Sequence, residues 1–179
     1  VWKLSRSYSF LATLLRNWTA KIDPNQPDWN KQRLDNWKAA YPQSPTPYIF
    51  ESAIHFYRAH AFLNDRLARS TFPGGEPALI AKLEEARTVL EKNKAIAASD
   101  PHYYSLLVLI MRNQGAGIDD ILNAALEGAD RHPEYFDTYF EAVNAIGHRS
   151  KKPFEDLESL ANTALTKTSG TLGDEIYIR

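Results

Sequence analysis

Two stretches of this chain echo each other at a fixed distance. Asp100-Pro101-His102-Tyr103-Tyr104 and His132-Pro133-Glu134-Tyr135-Phe136 both read Pro-x-aromatic-aromatic, 32 residues apart. Between them lie an apolar run from Leu106 to Met111, a break at Gly115-Ala116-Gly117 and an amphipathic run from Ile118 to Ala129, the content of one helix-turn-helix unit. A hairpin of that size cannot bury its own apolar side, so neighbours must stack on it. The spacing therefore predicts an all-α chain of stacked antiparallel helical hairpins, a tetratricopeptide-like α-α superhelix.

Prolines and glycines mark the other boundaries. Leu4, Tyr8, Leu11, Leu14, Leu15 and Trp18 recur at helical spacing across 4–21, with Arg6, Thr13 and Asn17 opposite. Asp23-Pro24-Asn25-Gln26-Pro27 stops that helix, and a second is predicted from about Asp28 to Ala40, with Leu34, Trp37 and Tyr41 facing inward. Thr46 as N-cap and Pro47 at the first helical position open a long helix to about Arg69, carrying Ile49, Ala53, Phe56, Tyr57 and Leu63 and ended by Phe72-Pro73-Gly74-Gly75. The next runs from Glu76-Pro77 to about Ala98, with Leu79, Leu83, Ala86, Leu90 and Ala97 on one side and Lys82, Glu85, Arg87 and Glu91 on the other. Helices follow over 103–114, over 118–131 and from Pro133 to about Ile146, the last closed by Gly147. Pro153 opens another, with Phe154, Leu157, Leu160, Ala164 and Leu165 inward and Gly170 in the left-handed terminal position. Asp174 to Arg179 reads as the start of one more. No stretch alternates like a strand between hairpin turns, so the chain reads as a single domain, 1–179, in which the helices of 1–41 pack on a repeat core of 46–179.

Twenty-one basic against 22 acidic residues, with no long run of either sign, argue against a nucleic-acid or anionic-membrane partner. With no cysteine there is no disulfide framework, thiolate nucleophile or Cys-based zinc site. Leu106 to Met111 is far short of the roughly 20 residues a spanning helix needs, so no direct membrane insertion is expected. Val1 stands where an initiator Met would, which reads as a piece of a longer protein.

The residue types for chemistry are present, but their spacing is poor. Glu51 and His55 are one turn apart, whereas His55 and His60 stand at i and i+5, about 140° round a helix, so they do not share a metal. His102 and His132 flank helix-starting prolines at equivalent positions and read as packing residues. No Gly-x-Ser-x-Gly elbow occurs, and Gly74-Gly75 alone cradles no phosphate. No catalytic residue, metal or cofactor is expected.

Leu34-Asp35-x-Trp37, Pro42-x-Ser44-Pro45, Asp100-Pro101 and Pro133-x-Tyr135, in that order, resemble the uncharacterised bacterial family catalogued as domain of unknown function 4034, over roughly residues 30 to 179. The resemblance implies tetratricopeptide-type helical repeats and no assigned activity. The chain departs from the family where Tyr57-Arg58-Ala59-His60 replaces a Trp and an Arg-Gly pair, and where Gly147-His148-Arg149-Ser150 replaces a Trp-Gly-Gly-Ser turn.

The expected function is a non-enzymatic module that binds a protein or peptide. Its concave side would be lined by 103–114 and 134–146, joined by the helix from Pro47. Residues off the apolar stripes are the candidate contacts: Arg58, Arg112, Asn113, Asp137, Glu141 and Asn144. The alternatives are an enzyme or enzyme fragment, with a metal at Glu51 and His55 or a carbohydrate beside Trp29 and Trp37, and a structural spacer.

Overall fold

The computed structural model describes residues 4, 6–8, 12–13, 29–68 and 75–170, with side chains at 31–60 and 77–170 and at the isolated N-terminal positions. Besides the helical residues 4, 6–8 and 12–13, the described residues form α1 (Trp29–Ala40), α2 (Thr46–Ala68), α3 (Gly75–Lys92), the single turn α4 (Lys94–Ala97), α5 (His102–Gln114), α6 (Ile118–Arg131), α7 (Phe136–Arg149) and α8 (Pro153–Thr168), with no strand among them. The fold is all-α. Most of the predicted N-terminal helix, the Asp23–Pro27 break, the Phe72–Gly74 stop, Leu63 and Trp29 as side chains, and the Asp174–Arg179 segment lie outside the described residues. Two compact units meet in sequence between Asp100 and Pro101.

In the first unit α2 packs along α3, and α1 lies on α2. The buried side of α2 carries Ile49, Ala53, Ile54, Phe56 and Ala59, and that of α3 carries Leu83, Ala86 and Leu90. Fully buried, the Ser52 hydroxyl donates to the Ala86 carbonyl (2.8 Å), so this polar group on the seam is satisfied across it. Tyr8 is also buried, and its hydroxyl donates to Asp100 (2.7 Å), tying the N-terminal segment to the last residue of the unit. The helix predicted to run unbroken to Ala98 stops at Lys92, because the Asn93 side-chain amide bonds back to the Val89 carbonyl (2.7 Å) and competes with the helix for it.

In the second unit α5 packs on α6 and α7, α6 on α7, and α8 on α7 and α6. Pairs far apart in sequence fix the directions. His102 Nδ1 lies 3.0 Å from the Tyr135 hydroxyl at the start of α5 and α7, while at their ends Arg149 donates to the Arg112 carbonyl (3.0 Å). These two helices are thus parallel. Tyr104, at the start of α5, donates to Glu127 near the end of α6 (3.0 Å), so that neighbour is antiparallel, and Lys167 of α8 pairs with Asp130 of α6.

The turns follow from local chemistry. Gly115 has φ 80°, its N–H bonding to the Arg112 carbonyl and that of Ala116 to the Met111 carbonyl, the Schellman pattern that ends α5. Asp119 and Asp120 sit in the first turn of α6 and Arg131 in its last, each matching the helix dipole. Between α7 and α8 the Ser150 hydroxyl donates to Asp156 (2.6 Å) and accepts the Lys152 N–H (2.9 Å).

Several expectations are corrected. Gly147 does not end its helix: α7 runs through it to Arg149 and is stopped by the extended backbone of Ser150, and Pro133 precedes a turn rather than the helix itself. Gly170 is not left-handed, a role that among the described residues falls to Gly115 alone. Thr46 lies inside α2, whose first carbonyl acceptor is Pro45. Trp37 is 37% exposed and Tyr41 63%, the first at the rim of α1 beside Phe50 and the second in the turn past it. Phe154, 84% exposed, falls outside the buried stripe Asp156, Leu160, Ala164 and Thr168 of α8.

Candidate functional site

Glu51 and His55, the nearest thing to a metal pair in the sequence, are engaged separately. Lys38 donates to Glu51 (2.5 Å) and lies 5.4 Å from the centre of the Tyr48 ring, joining α1 to α2. His55 Nδ1 sits 2.8 Å from a Glu85 carboxylate oxygen on α3, and Lys82 clamps the same carboxylate through both oxygens (2.8 and 2.6 Å). Burial holds the His55 ring below its usual range, Glu85 pulling it back up and Lys82 adding to the depression. Among the described residues no three metal-ligating side chains come together. Arg58 belongs to this unit, half-buried on α2 and within the electrostatic reach of His55.

The other five candidates belong to the second unit. Arg112 on α5 and Glu141 on α7 meet at 3.2 Å, each side chain about a quarter exposed (24% and 25%). Burial pushes the Glu141 carboxyl above its ordinary value, Arg112 draws it back and Asp137 adds to the rise. Asp137, Glu141 and Asn144 follow one another at steps of four and three residues and so share one side of α7. Arg112, Asp137 and Glu141 therefore come together, with Asn144 on the same side and exposed. Asn113 is exposed at the end of α5, its amide bonded to the Leu109 carbonyl (2.8 Å).

Beside this polar row the structure adds residues that a search for polar contacts passed over. Phe140 is 44% exposed and Val143 42%, on the side of α7 opposite the buried Thr138, Tyr139, Ala142, Ala145 and Ile146. The Phe136 ring lies against that of Phe140, centroids 6.4 Å apart, and a Cβ placed on Gly147 would meet nothing within 4 Å. The 4-3-4 spacing of 136, 140, 143 and 147 was readable in the sequence. The sequence reading named no apolar side for this helix, and the buried stripe lies opposite these residues.

A wide cleft of about 410 Å³ lies along α8, lined by Ser159, Asn162, Thr163, Thr166 and Lys167. The hydroxyls of Thr163 and Thr166 bond back to the carbonyls of Ser159 and Asn162, and Lys167 pairs with Asp130. Among the described residues no helix is long and apolar enough to cross a membrane.

Set against models of known protein families, curated proteins and solved structures, the chain matches none.

Proposed function

We propose that the chain is a non-enzymatic helical-repeat module, similar in kind to the bacterial family its sequence resembles, and that it binds a protein or peptide along α7 and the end of α5. The reading is supported by one observation above others: α7 turns Phe140 and Val143 to solvent directly beside the Asp137, Glu141 and Asn144 row. An apolar strip rimmed by polar groups is the usual composition of a docking face. The 33-residue offset of the bonded pair His102–Tyr135 is close to the 32 residues of the sequence motif, whereas Arg112–Arg149 and Asp130–Lys167 stand 37 apart.

The test is selection of peptides from a random library on the purified chain. Enriched sequences should carry apolar residues at helical spacing, and Phe140→Asp should abolish their binding while leaving the melting temperature within a few degrees, as an exposed substitution does. Peptides that bind Phe140→Asp as well as the parent would remove the reading. Arg112→Glu is a poorer probe, because it sets a second carboxylate against Glu141 and costs stability as well as binding.

A further inference from the structure

Ionisable side chains of α1, α2 and α3 form one connected group in the first unit. On α2, Glu51, His55 and Arg58 follow at steps of four and three residues and so share one side of the helix. His55 Nδ1 stands 2.8 Å from Glu85 of α3, whose two carboxylate oxygens both accept from Lys82 (2.8 and 2.6 Å), and Glu51 accepts from Lys38 of α1 (2.5 Å). Glu85, Lys82, Glu51 and Arg58 all act electrostatically on the His55 ring, and the single turn α4, which also touches α2, carries Lys94. While the ring is neutral, two carboxylates stand among three cations, Lys38, Arg58 and Lys82.

A proton on His55 adds a fourth positive charge to them. Each carboxylate already holds a lysine, so the new charge has to draw Glu85 from Lys82 or Glu51 from Lys38. Lys82 lies one turn from Glu85 on the same helix and stays beside it wherever α3 goes. Lys38 belongs to α1, on which Leu34 is the one buried side chain among those described and Trp37 rests against Phe50 at the edge. Repulsion in the group is therefore relieved most easily at α1.

We propose that α1 is a pH-sensitive strap: a proton on His55 loosens the Lys38–Glu51 pair and lets α1 lift from α2, uncovering Phe50 and the side of α2 on which it lies. With α1 lifted, Lys38 has left the group and Glu51 has lost its cation, so the ring binds a proton more tightly in the open state than in the closed one. A fall in pH then favours the open state. Burial holds the ring below its usual 6.5 while α1 is in place, Glu85 opposing and Lys82 adding to the effect, so the loosening sets in below that pH. The response is graded, because a part-exposed pair contributes little by itself, and this sets the change at several-fold.

Amide hydrogen exchange of the purified full chain at about pH 7.5, 6.5 and 5, corrected for intrinsic rates, reads the opening of each helix. The opening constant of α1 should rise at least about threefold between the first and last of these, while the first half of α2 and the buried side of α3 keep theirs. His55→Asn should remove the rise. Glu51→Gln leaves Lys38 without its counter-charge, so α1 should open more readily at every pH and respond to pH no further; this variant serves if His55→Asn folds poorly. An α1 that opens equally at both ends of the range overturns the proposal, as does a rise that survives in either variant. So does a rise in which α2 and α3 lose protection in step with α1, since acid would then be unfolding the unit as a whole.

Discussion

Gly128 on α6 leaves no room for a methyl group: a Cβ there would stand 2.7 Å from Cβ and 2.8 Å from Cγ of Tyr104. Tyr104 cannot retreat easily, being fully buried and holding Glu127 through its hydroxyl. Gly128→Ala gains about 1 kcal/mol in helix propensity but overpacks the contact, so a net loss of about 1–2 kcal/mol is expected in urea denaturation. A stabilised variant would mean that α5 and α6 separate at little cost. His55 makes a prediction in pH. Its ring is held below the usual 6.5 by burial, among Glu85 and Lys82 of α3 and Glu51 and Arg58 of α2, so the unfolded chain takes up the proton first. The contribution of this group to stability is therefore complete above about pH 6.5 and declines as the pH falls below it, through the lower folded-state value. His55→Asn should flatten that part of the stability–pH curve, measured as urea midpoints between pH 8 and 5.5. An unchanged slope would show that His55 does not carry it.

At the scale of the element, the fold was legible at α3 and at the end of α5, where period and a break residue agreed, but not at Pro133 and Gly147. Leu83, Ala86 and Leu90 were predicted to share one side of their helix and all three are buried, and the break at Gly115-Ala116-Gly117 is a formed helix cap. Period alone did less well, because it locates a stripe without saying which neighbour covers it. Trp37 and Phe154 read as inward and stand exposed: on α1 the buried residue is Leu34, with Trp37 at the edge beside Phe50, and the buried stripe of α8 passes through Asp156 instead. The polar row at Arg112, Asp137 and Glu141 was legible from helical register; the spacing of its apolar companion Phe140–Val143 was too, but not its exposure, for the same reason. Leu34 against Trp37 turns this into a measurement. Leu34 is 6% exposed, so Leu34→Ala should cost about 2–4 kcal/mol, while Trp37→Ala, removing a ring that is 37% exposed beside Phe50, should cost about 1–2. Chemical denaturation that reversed the order would place the anchor of α1 at its tryptophan.

For the molecule as a whole, burial is distributed unevenly among the helices, and local stability should follow it. Tyr103 to Val108, Ile110 and Met111 are all buried, so α5 is enclosed on nearly every side of its length. Ile49, Ser52, Ala53, Ile54, Phe56, Tyr57 and Ala59 do the same for the first half of α2. On α1, by contrast, Leu34 is the one buried side chain among those described, and Lys31, Gln32, Arg33, Asp35 and Asn36 all face water. Its register on α2 is held by the Trp37–Phe50 contact and the Lys38–Glu51 pair, a link of part-exposed charges that contributes little on its own. Among the described side chains, opening α1 exposes one buried apolar residue and part of another, whereas opening α5 exposes eight buried residues. Amide hydrogen exchange should therefore be slowest in α5 and the first half of α2, and at least about 100-fold faster in α1, a difference of roughly 2.7 kcal/mol in opening free energy. Amides of α1 as well protected as those of α2 would mean that α1 opens only when its whole unit does, and that residues 29–40 are part of the core on which the rest of that unit depends.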